Sequence, residues 1–159
     1  MKESSYYIII AKTAEEFSAG KELFIEYARS LGFDLCFQNF DKELEELDVQ
    51  YNLPEGGLLL IRYGMDYVGC TGIRKLENGI AELKRMYIKP DHRKAGLGKI
   101  MMEKAIELAK NLWFRKIRLD TLKNMTAAIH LYKSNGFYEI EPYRFNPLEE
   151  ALYFEKILE

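Results

Sequence analysis

The sequence is poor in residues that staple, ligate or anchor a chain. It has only two cysteines, Cys36 and Cys70. They form no C-x-x-C and no Cys/His cluster, so a disulfide framework or a zinc pattern is not expected. Each is read as a small buried hydrophobe. No stretch reaches the ~18 uninterrupted apolar residues of a membrane span. The opening Met1-Lys2-Glu3-Ser4-Ser5 has no apolar core of a secretory signal. A cytoplasmic protein without membrane association is therefore expected. Neither sign of charge dominates: 23 Lys and Arg stand against 25 Asp and Glu, a net charge of −2. A dedicated nucleic-acid binder would be basic, so no nucleic-acid partner is expected. With 4 Pro, 11 Gly and 48% apolar residues, the composition excludes disordered, collagen-like and low-complexity classes. His92 and His130 are the only histidines. No carboxylate spacing joins them into a metal site or a triad, and no G-x-S-x-G occurs, so no metal is expected.

What is present is a patterned chain of single-domain length, taken as one unit over residues 1–159. Tyr6 to Ala11 predicts a strand. Thr13 and Glu16 form a T-x-x-E capping box that opens a helix with the apolar stripe Phe17, Phe24, Tyr27, Ala28 and Leu31, stopped by Gly32. An acidic helix is expected over Asp41 to Asp48, with Leu44 and Leu47 facing inward. The runs Leu58 to Tyr63, Tyr67 to Ile73 and Ile80 to Ile88, with Asn78-Gly79 as a hairpin turn, predict a three-stranded antiparallel meander. A long helix follows over about 97–112, then a strand around Ile117 to Asp120. A helix capped by Asn124 and ended at Asn135-Gly136 comes next. Two last strands cover Phe137 to Ile140 and Leu152 to Leu158. The strand–helix–strand order at residues 80–121 implies one parallel crossover. The fold class is therefore α/β (α+β): a mixed, mostly antiparallel sheet of about seven strands with helices on both faces.

Chemistry concentrates in Met86-Tyr-Ile-Lys-Pro-Asp-His-Arg-Lys-Ala-Gly-Leu-Gly-Lys99. A strand ends at Ile88, and Pro90 prevents its continuation. A basic, glycine-containing turn then opens the long helix. Its first N–H groups have no intrahelical partners and its dipole favours negative charge there. Gly96 and Gly98 let a phosphate approach the backbone, and Arg93, Lys94 and Lys99 add positive charge. The spacing is not that of a P-loop. A dinucleotide fingerprint fails because Met101 stands where its third Gly belongs.

Arg-Lys-Ala-Gly-Leu-Gly (93–98) matches the R/Q-x-x-G-x-G/A signature of the GNAT superfamily of N-acetyltransferases. Leu131-Tyr-Lys-Ser-Asn-Gly-Phe137 resembles its second signature, L-Y-x-x-x-G-F. The resemblance implies acetyl-CoA as co-substrate, with its pyrophosphate on Arg93, Lys94, Ala95, Gly96, Leu97, Gly98 and Lys99. It also implies that Met86, Tyr87 and Ile88 pair with pantetheine where the fourth and fifth strands part, and that the Ile88 N–H faces the acetyl oxygen. There is one departure: the family's pantetheine-contacting Asn falls on Met125, with Asn124 one residue early.

By the same resemblance Tyr132 is the general acid and a second cofactor contact. Glu82 is the candidate base, with ordered water as the alternative; an even spacing of six residues places Glu82 and Ile88 on one strand face. The room around Met86, Leu119 and Tyr132 would limit the length of the acyl group. Two features disagree about the acceptor. The acidic run Asp41, Glu43, Glu45, Glu46 and Asp48 suits a cationic amine, although a solvated helix face explains it as well. The loop around Arg144 and Asn146 suits substrate binding, with Arg144 pairing a carboxylate. The expected activity is acetyl transfer to a small-molecule or amino-acid-like amine in a ternary complex. The alternative is a non-catalytic acyl-CoA-binding sensor or interaction module. A homodimer through Leu152, Tyr153 and Phe154 is the remaining partner expectation.

Overall fold

A computed structural model describes residues 5–32 and 39–159 of the chain; Cys36 and residues 1–4 lie outside them. The elements are β1 (Tyr6–Ile10), α1 (Ala14–Leu31), α2 (Phe40–Glu45), α3 (Leu47–Gln50), β2 (Gly57–Tyr63), β3 (Asp66–Glu77) and β4 (Ile80–Ile88). A 3-10 turn (Pro90–Ala95), α4 (Leu97–Asn111), β5 (Lys116–Leu122), α5 (Thr126–Ser134), β6 (Tyr138–Ile140) and β7 (Ala151–Ile157) follow.

Local chemistry fixes most of these boundaries. Thr13 Oγ1 accepts from the Glu16 N–H at 3.1 Å and Glu16 Oε1 accepts from the Thr13 N–H at 3.0 Å, the reciprocal capping box. Gly32 ends α1 with φ +75, a left-handed conformation that glycine adopts without strain. The expected acidic helix is instead two short helices that break at Glu46. The break delivers Leu47 and Tyr51 to the core, with Leu47 3% and Tyr51 0% exposed. Asn124 does not cap α5: Met125 holds that position and no side chain caps the helix.

All the strands join one seven-stranded sheet in the order β1-β2-β3-β4-β5-β7-β6. Every neighbouring pair is antiparallel except β4 and β5, which α4 connects as a parallel crossover. One face carries Ile73, Leu83, Ile117 and Leu119 against Met101, Met102 and Ala105 of α4 and Tyr132 of α5. The other carries Leu58 and Leu60 against Phe17, Leu23 and Phe24 of α1 and Leu47 of α3. The sheet therefore has helices on both faces, as expected. β7 lies between β5 and β6, and Tyr153 and Phe154 are 3% and 0% exposed. The strand expected to offer a dimer surface thus sits inside the protomer's own sheet. Among the described residues no helix is long and apolar enough to cross a membrane.

Candidate active site

The sheet is open in the middle. β4 and β5 pair only at Ile80–Lys116, Ala81–Ile117 and Glu82–Arg118. Beyond Glu82 the ladder stops, although β4 continues to Ile88 and β5 to Leu122. A bulge in β4 accompanies the parting. Cys70 pairs with Tyr87 and Gly72 with Lys84, so Arg85 and Met86 together face Thr71. Arg85 takes φ +58, which is unusual for a side chain of this size. A bulge adds one residue and reverses the alternation of faces after it. Ala81 and Leu83 before it, and Met86 and Ile88 after it, pack with the α4 face, whereas Tyr87 packs with the α1 face. Glu82 and Ile88 therefore occupy opposite faces, contrary to the even-spacing expectation.

The turn after β4 ends where α4 begins. Gly96 precedes α4 with φ +72, and no side chain caps the helix. This contrasts with the fully capped α1. Gly98 lies in the first turn of α4. A Cβ built there would meet only Leu131 Cδ2 at 3.5 Å and Ile88 Cδ1 at 4.0 Å, ordinary contact distances. Glycine costs a helix up to about 1 kcal/mol relative to alanine. Nothing in the protein requires that cost, so the space beside Gly98 fits a ligand that approaches the backbone. Lys94, Ala95 and Lys99 are exposed around it. Leu97 is 2% exposed, so its side chain belongs to the core and only its backbone is available. Arg93 folds back: its Nε donates to the Ile88 carbonyl at 2.8 Å, and its guanidinium lies 5.5 Å from the centre of the Tyr87 ring.

Tyr132 sits below the opening on α5, with its ring 6.0 Å from that of Phe137 and 6.3 Å from that of Phe154. Among the described residues its hydroxyl has no hydrogen-bond partner. Burial pushes its pKa up, and Tyr27 and Asp120 add to the rise. Tyr27 comes from α1, across the sheet.

The α1 face of the opening is lined with charge. Glu82, 0% exposed, is held from three sides. Arg74 donates to it through Nε at 3.1 Å and Nη2 at 3.0 Å, Tyr143 through its hydroxyl at 2.8 Å, and Arg144 through Nη2. Burial would raise its pKa, but Lys84, Arg144 and Arg74 hold it down to about 2. Lys84 reaches across the gap to Asp120 at 3.8 Å, and burial lowers its pKa to about 8 against the pull of Glu82 and Asp120. Arg85, on the bulge, donates to Glu43 of α2 at 2.8 and 3.2 Å, and Tyr51 donates to the same carboxylate at 2.7 Å. Glu43 is 1% exposed, so the acidic run is not one solvated face.

Residues 21–137 match the acetyltransferase (GNAT) family model. The chain belongs to the GNAT family of acetyltransferases. An uncharacterized N-acetyltransferase of Schizosaccharomyces pombe is 35% identical over 156 residues, covering 96% of this chain and 95% of that one. An uncharacterized N-acetyltransferase of Dictyostelium discoideum is 29% identical, covering 93% and 97%. A GNAT-family acetyltransferase of Staphylococcus aureus superposes with TM-score 0.79 at 25% identity, covering 98% and 100%. A Salmonella typhimurium protein solved with its cofactor acetyl-CoA shares the fold at TM-score 0.69 and 16% identity, covering 97% and 94%.

Within this GNAT fold, the residues singled out in the sequence divide into two groups. Met86 and Ile88, the Arg93 to Lys99 turn and Tyr132 gather around the opening on the α4 side. Glu82 and Arg144 meet on the other side. Asn146 does not join them: its Oδ1 accepts from the Leu148 N–H at 2.9 Å and shapes its own loop. Arg74, Arg85 and Asp120 were not singled out. Their signal was charge inside strands that otherwise read as buried, because a charged residue there needs a partner.

Proposed function

We propose that the protein transfers the acetyl group of acetyl-CoA to the primary amine of a small or amino-acid-like acceptor, by direct attack in a ternary complex. One observation carries this reading: the sheet parts beside an uncapped helix start whose Gly98 has no close contact that requires glycine there. Acetyl-CoA supplies an activated thioester carbon, and the chain supplies placement and a proton. The first-turn amides of α4, with Lys94 and Lys99, hold the diphosphate. The unpaired edge of Met86 to Ile88 takes the pantetheine arm as an added strand. The Ile88 N–H faces the acetyl oxygen, a donor typically worth about 3–4 kcal/mol to an oxyanion.

Tyr132 is the acid for the departing thiolate. Its raised pKa keeps the proton in place throughout the neutral range, and its hydroxyl is not engaged by a described residue. Glu82 serves as a positioning anion instead of the base. A carboxylate near pKa 2, with its oxygens already accepting from Arg74, Tyr143 and Arg144, has almost no tendency to take an amine's proton. The amine therefore loses its proton to water before or during attack.

A screen of primary amines with acetyl-CoA, read by thiol release, tests the reading, together with calorimetric titration of coenzyme A. Micromolar binding with amine-dependent thiol release is expected. Absence of coenzyme A binding, or binding without release on any amine, overturns it.

A further inference from the structure

A cavity of about 390 Å³ opens on the α1 face beside Glu82. Arg74, Arg144 and Gln50 are in its wall, Lys42 and Glu46 lie on its α2 side, and Phe145 is at its rim. The hydrogen bonds there leave a cation in excess. Arg74 is satisfied at all three nitrogens, with Nε and Nη2 on Glu82 and Nη1 on Gln50 at 2.8 Å. Arg144 gives only Nη2 to Glu82. Its Nε and Nη1 have no hydrogen-bond partner among the described residues, and its side chain is 21% exposed. One carboxylate thus serves two guanidiniums. Lys42 and Glu46 cancel, and Glu43 is turned away to Arg85. The wall keeps one net positive charge and two vacant donors.

That charge is also fixed in place. Arg144 lies 5.1 Å from the centre of the Tyr143 ring, and Tyr143 is itself bonded to Glu82. A guanidinium held between an aromatic face and a buried carboxylate loses little freedom when it binds an anion. Planar N–H donors of this kind suit a carboxylate. Arg74 and Arg144 of the cavity wall both donate to Glu82, the last β4 residue paired with β5, so they tie the cavity to the point where the sheet parts.

We propose that Arg144 binds a carboxylate of the acceptor in this cavity, so that the substrates are amines that also carry a carboxylate. Phe145, 84% exposed, supplies an apolar wall for the rest of the molecule. The assignment decides between the two acceptor charges that the sequence left open, because Glu43, which also lines the cavity, is already paired with Arg85. It rests on the acetyl-transfer reading, and binding separates the two.

Amines in matched pairs, free carboxylate against carboxamide on one skeleton, are titrated calorimetrically with and without coenzyme A and then assayed for thiol release. The pairs cover α-amino acids, ω-amino acids and dipeptides. Carboxylates are expected to bind about tenfold or more tighter than their carboxamides. Arg144→Gln brings that ratio close to one, and Arg144→Lys, which keeps a cation on Glu82, retains part of it. Equal binding of the two forms by the wild-type protein, failure of every carboxylate to bind, or an unchanged ratio in Arg144→Gln overturns the proposal. Carboxylate-selective binding with no thiol release on any amine keeps the subsite and overturns the acetyl-transfer reading instead.

Discussion

Arg85 on the β4 bulge donates to Glu43 of α2 through Nη2 at 2.8 Å and Nε at 3.2 Å. The pair joins the strand that opens the sheet to α2, and both side chains are almost fully buried at 4% and 1% exposure. Removing one partner of such a pair strands the other charge in the interior, a loss of about 3–5 kcal/mol. Arg85→Met and Glu43→Gln are each expected to destabilise by that amount in urea unfolding. The double variant should recover part of the loss. Additive losses would mean that the two side chains are not coupled.

Gly98 separates stability from ligand binding. The protein has room for a Cβ there, and alanine is the better helix former, so Gly98→Ala is expected to raise stability by about 0.5 kcal/mol. The same methyl fills the space assigned to the diphosphate and should weaken coenzyme A binding at least tenfold. Calorimetry of unfolding and of binding checks both signs. A variant as tight as wild type would remove the helix start from the cofactor site.

Glu82 links charge to pH. Its folded pKa of about 2 lies below its ordinary 4.5. The folded state therefore holds fewer protons than the unfolded state between those values. The stability this adds, about 3 kcal/mol, is complete above pH 4.5 and is lost as pH falls toward 2. Glu82→Gln should lie below wild type at pH 7 and converge with it in acid. Because Glu82 is ionised throughout pH 5–9, the acidic limb of kcat/KM should keep its midpoint in the variant, whatever the rate. A shifted midpoint would make Glu82 the base after all.

The reach of the sequence was set by distance along the chain. The capping box of Thr13 and Glu16, the Asn78-Gly79 turn and the glycines of the 93–98 signature act within a few residues, and all were legible. The order of elements along the chain, the meander and the one parallel crossover followed from the same local signals, whereas the insertion of β7 between β5 and β6 did not. The charged face was not legible. Glu43 meets Arg85 across 42 positions and Glu82 meets Arg144 across 62, and no local pattern announces such pairs. The bulge was equally hidden, because Arg85 is not a residue that favours positive φ. That single extra residue is why the alternation rule placed Glu82 and Ile88 on one face when they lie on two.

Tyr132 tests the chemical step itself. Its ring packs against Phe137 and Phe154, and these contacts survive replacement by phenylalanine. Its hydroxyl gives no hydrogen bond to a described residue, so Tyr132→Phe is expected to unfold within about 1 kcal/mol of wild type. Coenzyme A affinity should be kept. Under the proposed mechanism the variant loses the proton for the leaving thiolate, and general-acid assistance of this kind is worth roughly 10²–10⁴ in rate. A fall in kcat of at least about 10² with little change in the dissociation constant is the expected split. A thioester with a more acidic leaving thiol needs less help from an acid, so the deficit should shrink with such a substrate. If kcat is unchanged while single-turnover traces show chemistry to be limiting, the thiolate leaves without Tyr132.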